Sequence, residues 1–256
     1  MDFTGERLVP GKVDLELEVE HTNRYIFARP LVKDKKVLDA ACGTGYGSAI
    51  LSKTAASVFG IDISDEAISY AKNNYNAPNI SFSVADIASL PFEDNFFDVV
   101  ISFETIEHVD TQKQEKFLSE VKRTLKNDGI FIVSTPNRDV YKNRGENHFH
   151  VAELSFAEFK SFLDGKFQNV KIFSQKFEVS NAIIADGITK SASVSNVTLE
   201  NSDYLVAVAS DEKLPDDIVG VVNFYSENKY SQVMGWAIEN HERNEKNNVI
   251  IKEVNE

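Results

Sequence analysis

Val37-Leu38-Asp39-Ala40-Ala41-Cys42-Gly43-Thr44-Gly45-Tyr46-Gly47 decides how the rest of the chain is read. A short apolar run ends in an acid and enters a turn with glycine at every second position. Ser48-Ala49-Ile50-Leu51-Ser52-Lys53 then continues as a helix. Strand, glycine turn and helix N-terminus in that order make a cofactor site of nucleotide type. Glycine has no Cβ, so the backbone can approach a ligand closely. Dinucleotide folds want Gly-x-Gly-x-x-Gly, with the third glycine packing helix on strand and the helix N-terminus facing a pyrophosphate. Here Ser48 holds that third place and the glycines fall at 43, 45 and 47, which argues against a nicotinamide dinucleotide.

Three further segments lie outward from this turn. Val58-Phe59-Gly60-Ile61-Asp62-Ile63-Ser64 reads as a buried strand ending in an acid. An acid in this place accepts hydrogen bonds from ribose hydroxyls, which makes Asp62 the ribose ligand. Ser64 caps the next helix, with Asp65 and Glu66 in its first turn. Ile80-Ser81-Phe82-Ser83-Val84 alternates as a strand does and is followed by Ala85, Asp86 and Ile87. Phe96-Phe97-Asp98-Val99-Val100-Ile101-Ser102-Phe103-Glu104-Thr105-Ile106-Glu107-His108-Val109 has the apolar centre of a buried parallel strand.

Taken together, Asp-x-x-x-Gly-x-Gly-x-Gly from Asp39, the strand-end Asp62, Ala85-Asp86 and Phe-Asp-x-Val followed by Glu-His-Val resemble the class I S-adenosylmethionine (SAM)-dependent methyltransferases. The likeness spans roughly residues 36 to 135. It implies a doubly wound, Rossmann-like α/β fold: a seven-stranded sheet, last strand antiparallel, with helices on both faces. SAM carries an ammonium and a carboxylate where a dinucleotide carries phosphates. Asp39 suits the first, and the backbone N–H groups of Cys42, Gly43, Thr44, Gly45 and Tyr46 suit the second. Under this reading Ile63 lies against the adenine and Asp86, with Ala85 and Ile87, reaches its amino group. Ser102, Phe103 and Glu104 line the cofactor pocket. Cys42 is a small packing residue of the turn rather than a nucleophile.

Alternating strands and helices predict the same α/β layout without the resemblance. Residues 14 to 30 read as a helix stopped by Pro30, and helices follow at 46–55, 65–75 and 111–126. Asn127-Asp128-Gly129 reads as a C-cap turn, Ile130–Ser134 as a strand broken by Pro136, and Ser155–Glu158 as a capping box opening a helix to about 164. Val170–Phe177 and Tyr204–Ala209 are the last two strands, with a loop or lid over 178–203. The chain divides into an N-terminal helical lid (1–30), a SAM-binding methyltransferase domain (31–210) and a C-terminal extension (211–256). In the extension, 219–225 reads as an edge strand, 231–238 as a short helix and 240–248 as polar loop. Its apolar residues cover the sheet edge or form a homodimer contact.

Composition narrows the partners. The 256 residues carry a net charge of −13 and have no dense basic run, which disfavours a nucleic-acid substrate. No apolar run is long enough for a membrane span. The N-terminus lacks the pattern of a signal peptide, and a single cysteine suits a reducing compartment, so a cytoplasmic location is expected. Neither Cys-x-x-Cys nor His-Glu-x-x-His occurs and no metal is expected, while a divalent ion that lowers the acceptor hydroxyl's pKa beside the acid-rich 146–153 loop stays open.

Substrate choice should lie in the flanks. Thr4–Gly11 with Glu20-His21-Thr22-Asn23-Arg24-Tyr25, and Ser134-Thr135-Pro136-Asn137 with His148-Phe149-His150-Val151-Ala152-Glu153-Leu154, are similar to methyltransferases among glycan-assembly enzymes. That likeness implies a small-molecule or glycan acceptor, a sugar hydroxyl first. A quinone-type phenol, an acyl carboxylate, or a SAM-binding subunit without turnover stay open. Arg24 and Tyr25 are candidates for the cofactor carboxylate. A sugar hydroxyl needs a base, and histidine can serve near neutral pH. His148, oriented by Asn147 and Glu146, is placed first, His150 second and His108 third.

Overall fold

A computed structural model describes residues 7–141, 147–177, 198–199, 201–218 and 220. Expectations on Thr4–Glu6, Glu146, most of 178–203, and the strand, helix and loop of 219–248 lie outside the described residues. The order is α1 (Leu15–Ala28), β1 (Lys36–Ala40), α2 (Tyr46–Leu51), β2 (Ser57–Asp62), α3 (Asp65–Asn74), β3 (Ile80–Val84), β4 (Phe97–Ser102), α4 (Thr111–Thr124), β5 (Leu125–Pro136), α5 (Arg138–Tyr141), α6 (Phe156–Asp164), β6 (Asn169–Gln175) and β7 (Tyr204–Ser210). Short 3₁₀ turns occupy Arg29–Val32 and Ile106–His108.

The strands form one seven-stranded sheet in the order β3-β2-β1-β4-β5-β7-β6. β1 lies parallel between β2 and β4, and β7 runs antiparallel to β5 and β6. Central strands are apolar on both faces because helices cover both. Val37, Val99, Ile101 and Ile132 face the cluster that includes Tyr25, Ile26, Ile50 and Leu51 of α1 and α2. Their neighbours Leu38, Val100, Phe131 and Val133 face Phe117, Leu118 and Val121 of α4 and Phe159 and Leu163 of α6. The chain order reverses direction between β1 and β4, where such sheets bind ligands beyond their carboxyl ends.

Local chemistry sets the helix starts. Ser64 accepts from the Ala67 N–H to cap α3, and Asp110 accepts from the Lys113 N–H to cap α4. Ser155 and Glu158 form the expected reciprocal capping box. Three boundaries differ from the sequence reading. α4 stops at Thr124 and Leu125 already pairs with Phe97, after which the register jumps so that Val99 faces Ile130. The 127–129 stretch is thus an irregularity within β5, not a helix cap. A Cβ on Gly129 would come within 3.0 Å of the Asp98 carbonyl oxygen, so close strand approach explains the glycine. Pro136 closes β5 rather than breaking it, opposite Tyr204. α2 also ends early, at Leu51, and 52–54 continue as a turn.

Candidate active site

One cavity of about 330 Å³ opens over the carboxyl ends of β1 and β4. Two non-glycine residues take left-handed backbone there: Ala41 (φ 61°) directly after β1 and Glu104 (φ 50°) two residues after β4. Such conformations are costly outside glycine and gather at functional sites.

The glycine turn forms one end. Gly43, at φ 54°, has open space where a Cβ would stand, and its N–H donates to Asp62 Oδ2 at 3.0 Å. Asp62 Oδ1 also accepts from the Ser64 N–H at 2.9 Å and faces Arg7 Nε at 3.3 Å. Cys42, Thr44, Tyr46, Ile63, Ala85, Asp86 and Ile87 join it on the wall. Asp86 accepts from the Ala88 N–H and from Lys113 Nζ, both at 2.9 Å. Burial pushes its carboxyl up, but those two donors outweigh burial and hold it below the usual range. The Thr44 hydroxyl donates to the Leu8 carbonyl at 2.9 Å, laying the segment before α1 across the turn.

Other expected ligands stand behind the wall. Gly45 and Gly47 serve packing: a Cβ on Gly45 would meet Ala71 Cβ at 2.6 Å, and one on Gly47 would meet the Tyr25 ring at 2.0 Å. Asp39 is sealed from solvent and does not line the cavity. It accepts from the Ser48 hydroxyl at 2.6 Å and from the Tyr25 hydroxyl at 3.3 Å. Burial raises its carboxyl to about 6, against the lowering effect of those bonds. Ser48 is therefore the residue that orients Asp39, which accounts for its place where a dinucleotide fold has glycine. Ser102 is buried with its hydroxyl on the Ala40 carbonyl. Tyr25 does reach the wall, but Arg24 does not; Arg24 donates to Gln175 at 2.7 Å and covers the Tyr204 ring at 4.7 Å.

The opposite end is built by the turn after β4 and the loop after α5. The Glu107 carbonyl accepts from the Val151 and Ala152 N–H groups at 2.7 and 3.0 Å. The Gln114 amide clasps the Ile106 and Ala152 carbonyls. Those bonds bring His108 and His150 edge to face, with ring centroids 4.9 Å apart. His108 Nδ1 bonds the Phe149 carbonyl at 3.0 Å; His150 Nδ1 bonds Glu153, and its Nε2 accepts from Asn147 Nδ2 at 2.9 Å. His148, placed first from sequence, is exposed and off the wall.

Among the wall residues that sequence reading did not name as site residues are Glu107, His21 and Tyr141. Glu107 is fully buried, with Oε2 accepting from the Thr135 hydroxyl at 3.2 Å. Burial, and then the charge of Glu104, push its carboxyl well above the ordinary range. Glu104 itself accepts from Ser134 at 2.6 Å. The Ser134-Thr135 pair of the flanking motif therefore orients these two carboxylates. His21, from α1, faces the Tyr46 hydroxyl at 3.3 Å, and burial followed by Arg24 keeps it neutral. Tyr141 completes this side. The Glu-x-x-Glu-His spacing from Glu104 to His108 is the sequence signal that could have found Glu107.

Comparison with known proteins points the same way. A methyltransferase domain model matches residues 38–133. The "Probable S-adenosylmethionine-dependent methyltransferase Rv3030" of Mycobacterium tuberculosis is 34% identical over 168 residues, 64% of this chain and 60% of that protein. A fatty-acid O-methyltransferase of Mycolicibacterium smegmatis is 32% identical over 124 residues, 45% of this chain and 44% of that one. The chain thus spans about three fifths of the length of the probable SAM-dependent methyltransferases that it matches. In fold, a SAM-dependent methyltransferase from Archaeoglobus fulgidus superposes with a TM-score of 0.56 at 22% identity, covering 77% of this chain and 94% of that one. No helix among the described residues is long and apolar enough to cross a membrane. The matched segment is the one that carries β1, β2, β4 and the turns at their carboxyl ends, and over it the chain is similar to SAM-dependent methyltransferases.

Proposed function

We propose that this chain transfers a methyl group from SAM to an oxygen of a small acceptor, with a sugar or glycan intermediate as the acceptor class. The observation that carries this reading is the division of one cavity into a glycine-and-acid end and a histidine end. The open space over Gly43 fits a bound cofactor, and Asp62, Asp86 and the Gly43–Thr44 backbone are the groups to hold it. SAM, when bound, supplies a methyl already activated by its sulfonium. The protein's share is then to position the acceptor and take its proton. The neutral His108 ring keeps its proton on Nδ1, against the Phe149 carbonyl, which leaves the basic lone pair on Nε2. In His150 that lone pair already accepts from Asn147. His108 and His150, both on the cavity wall, are the candidate bases, and the exposed His148 follows. The segment up to Ala28 acts as a lid over the cofactor end, and the reaction is cytoplasmic.

One observation favours a second acceptor class. Phe149 and Val151 are exposed beside the histidine end, 40% and 63% respectively. Apolar side chains there suit an acyl chain, and a relative is named for fatty-acid O-methylation. Labelled methyl-SAM offered with nucleotide-sugars, lipid-linked sugars and fatty acids separates the classes. Transfer to a sugar hydroxyl supports the first reading, and transfer to fatty acids alone overturns it for the second. His108→Ala should lower kcat by about 10²–10⁴ while His148→Ala leaves it nearly unchanged; the reverse result returns the base to the exposed loop.

A further inference from the structure

Among the described residues, Glu107, His108 and His150 bring a carboxylate oxygen and two ring nitrogens within 4.8 Å of one another. A strand and two helices separate His108 from His150 in sequence, so no local spacing announces this cluster. Three features suggest what it is for. Glu107 Oε1 is sealed from solvent, has no hydrogen-bond partner and lies 3.8 Å from His108 Nε2, on the cavity wall. Evolution rarely keeps a buried acceptor without a partner, because it has lost water and gained nothing. Both rings are held through Nδ1, one by the Phe149 carbonyl and the other by the Glu153 carboxylate. Metal-bound histidines are oriented in this way, with the second nitrogen donating to a carbonyl or carboxylate. The loop that carries His150 is fastened to the Glu107 backbone by two amides, so the three groups share one rigid frame.

We propose that Glu107, His108 and His150 form a binding site for a divalent transition-metal cation. Two imidazoles and one carboxylate favour manganese, iron, cobalt or zinc over magnesium and calcium. His108 and His150 would ligate through Nε2 and Glu107 through Oε1. The Asn147 amide, now 2.9 Å from His150 Nε2, turns aside when a cation takes that lone pair. Glu104, whose charge acts on Glu107, adds to the negative field; the Arg24 guanidinium is 3.8 Å from Glu104 and tempers it. The inference rests on the reading that the acceptor docks at the histidine end. A cation there would hold the acceptor's oxygen and favour its ionised form, with the proton passing to water, and so would replace His108 as the base once Nε2 is a ligand.

The full-length chain, stripped with EDTA, is titrated with Co²⁺ and followed by visible absorption. Calorimetry with Zn²⁺, Mn²⁺, Mg²⁺ and SAM runs on the same samples. A single Co²⁺ should bind and show d–d bands, with Mg²⁺ at least about tenfold weaker. Glu107→Gln should weaken Co²⁺ at least about tenfold. His150→Gln, which leaves the buried Thr135 contact alone, should do the same, and both should keep the wild-type circular dichroism. No Co²⁺ or Zn²⁺ binding by the wild type overturns the inference. So does binding that both variants retain in full, which would place the ion on surface carboxylates. SAM binding without metal binding removes the metal site and leaves the methyl-transfer reading standing. Variant-sensitive Co²⁺ binding without SAM binding does the opposite.

Discussion

Asp39 shows how a single buried acid can matter from behind the cavity wall. Its two donors, Ser48 and Tyr25, come from α2 and α1, so it ties both helices to the end of β1. Burial lifts its carboxyl from an ordinary 3.8 to about 6. The folded state therefore holds this proton more tightly than the unfolded chain does. The stabilising contribution is full below pH about 4 and is lost as pH rises through about 6, a change on the order of 3 kcal/mol. Asp39→Asn keeps the shape and removes the charge. Urea titrations should find the variant more stable than wild type at pH 8 and nearly equal at pH 4; a variant less stable at pH 8 would show that the two hydrogen bonds outweigh desolvation. Asp62 makes the contrasting case, since it lies on the wall with its oxygens engaged by backbone amides. Asp62→Ala should weaken SAM by about 1.5–3 kcal/mol, the worth of hydrogen bonds to a charged group. Calorimetry showing wild-type affinity would remove Asp62 from the cofactor site.

At the scale of elements, the seam between α1 and α2 turns on Gly47. The Tyr25 ring occupies the place of its missing Cβ and packs edge-on against Tyr46 and Phe103, at 5.5 and 5.0 Å. Gly47→Ala forces this ring away, and overpacking of this kind costs about 1–3 kcal/mol. Because Tyr25 lines the cavity, SAM affinity should fall with stability. Hydrogen exchange over 7–28 should rise in the variant, and in wild type it should slow on adding SAM; no change in either would make α1 a structural cover only. The elements themselves were largely legible. Buried parallel strands announce themselves as apolar runs, and Ser64 and Ser155 carry helix starts in two or three residues. The helix-to-strand passage at 124–130 was not, because Asn-Asp-Gly suits a helix end as well as it suits the bulge opposite Asp98. The glycine end of the site was legible for a related reason: its turn is contiguous. At the histidine end His108 and His150 were legible as candidates, but their meeting with Glu107 was not, because it is made through the Val151 and Ala152 amides, a contact with no local pattern.

At the scale of the whole molecule, the sheet separates the two larger cores among the described residues, and the cavity opens at its carboxyl edge. The cluster under α4 and α6 includes Phe117, which is fully buried and lines none of the cavity. Phe117→Ala should cost about 3–5 kcal/mol, the transfer term plus the cavity left behind. Ligand stabilisation is a separate quantity, set by binding to the folded state alone. At roughly 100 times Kd it amounts to about 2.7 kcal/mol, or a rise in Tm of roughly 5–10 °C for a chain of this size. Effects at sites with no shared partners add to within about 0.3–0.5 kcal/mol. Thermal melts of wild type and Phe117→Ala, with and without S-adenosylhomocysteine at the same multiple of Kd, should therefore give one lowered baseline, that of the variant, and one common ligand increment. The route by which coupling would enter is known: Gln114, on the same helix, clasps both the turn after β4 and the His150 loop. If Phe117→Ala shrank the ligand increment by more than that margin, α4 would be transmitting core packing to the site through Gln114. A Gln114→Ala variant with an intact core and the same shrunken increment would identify that route.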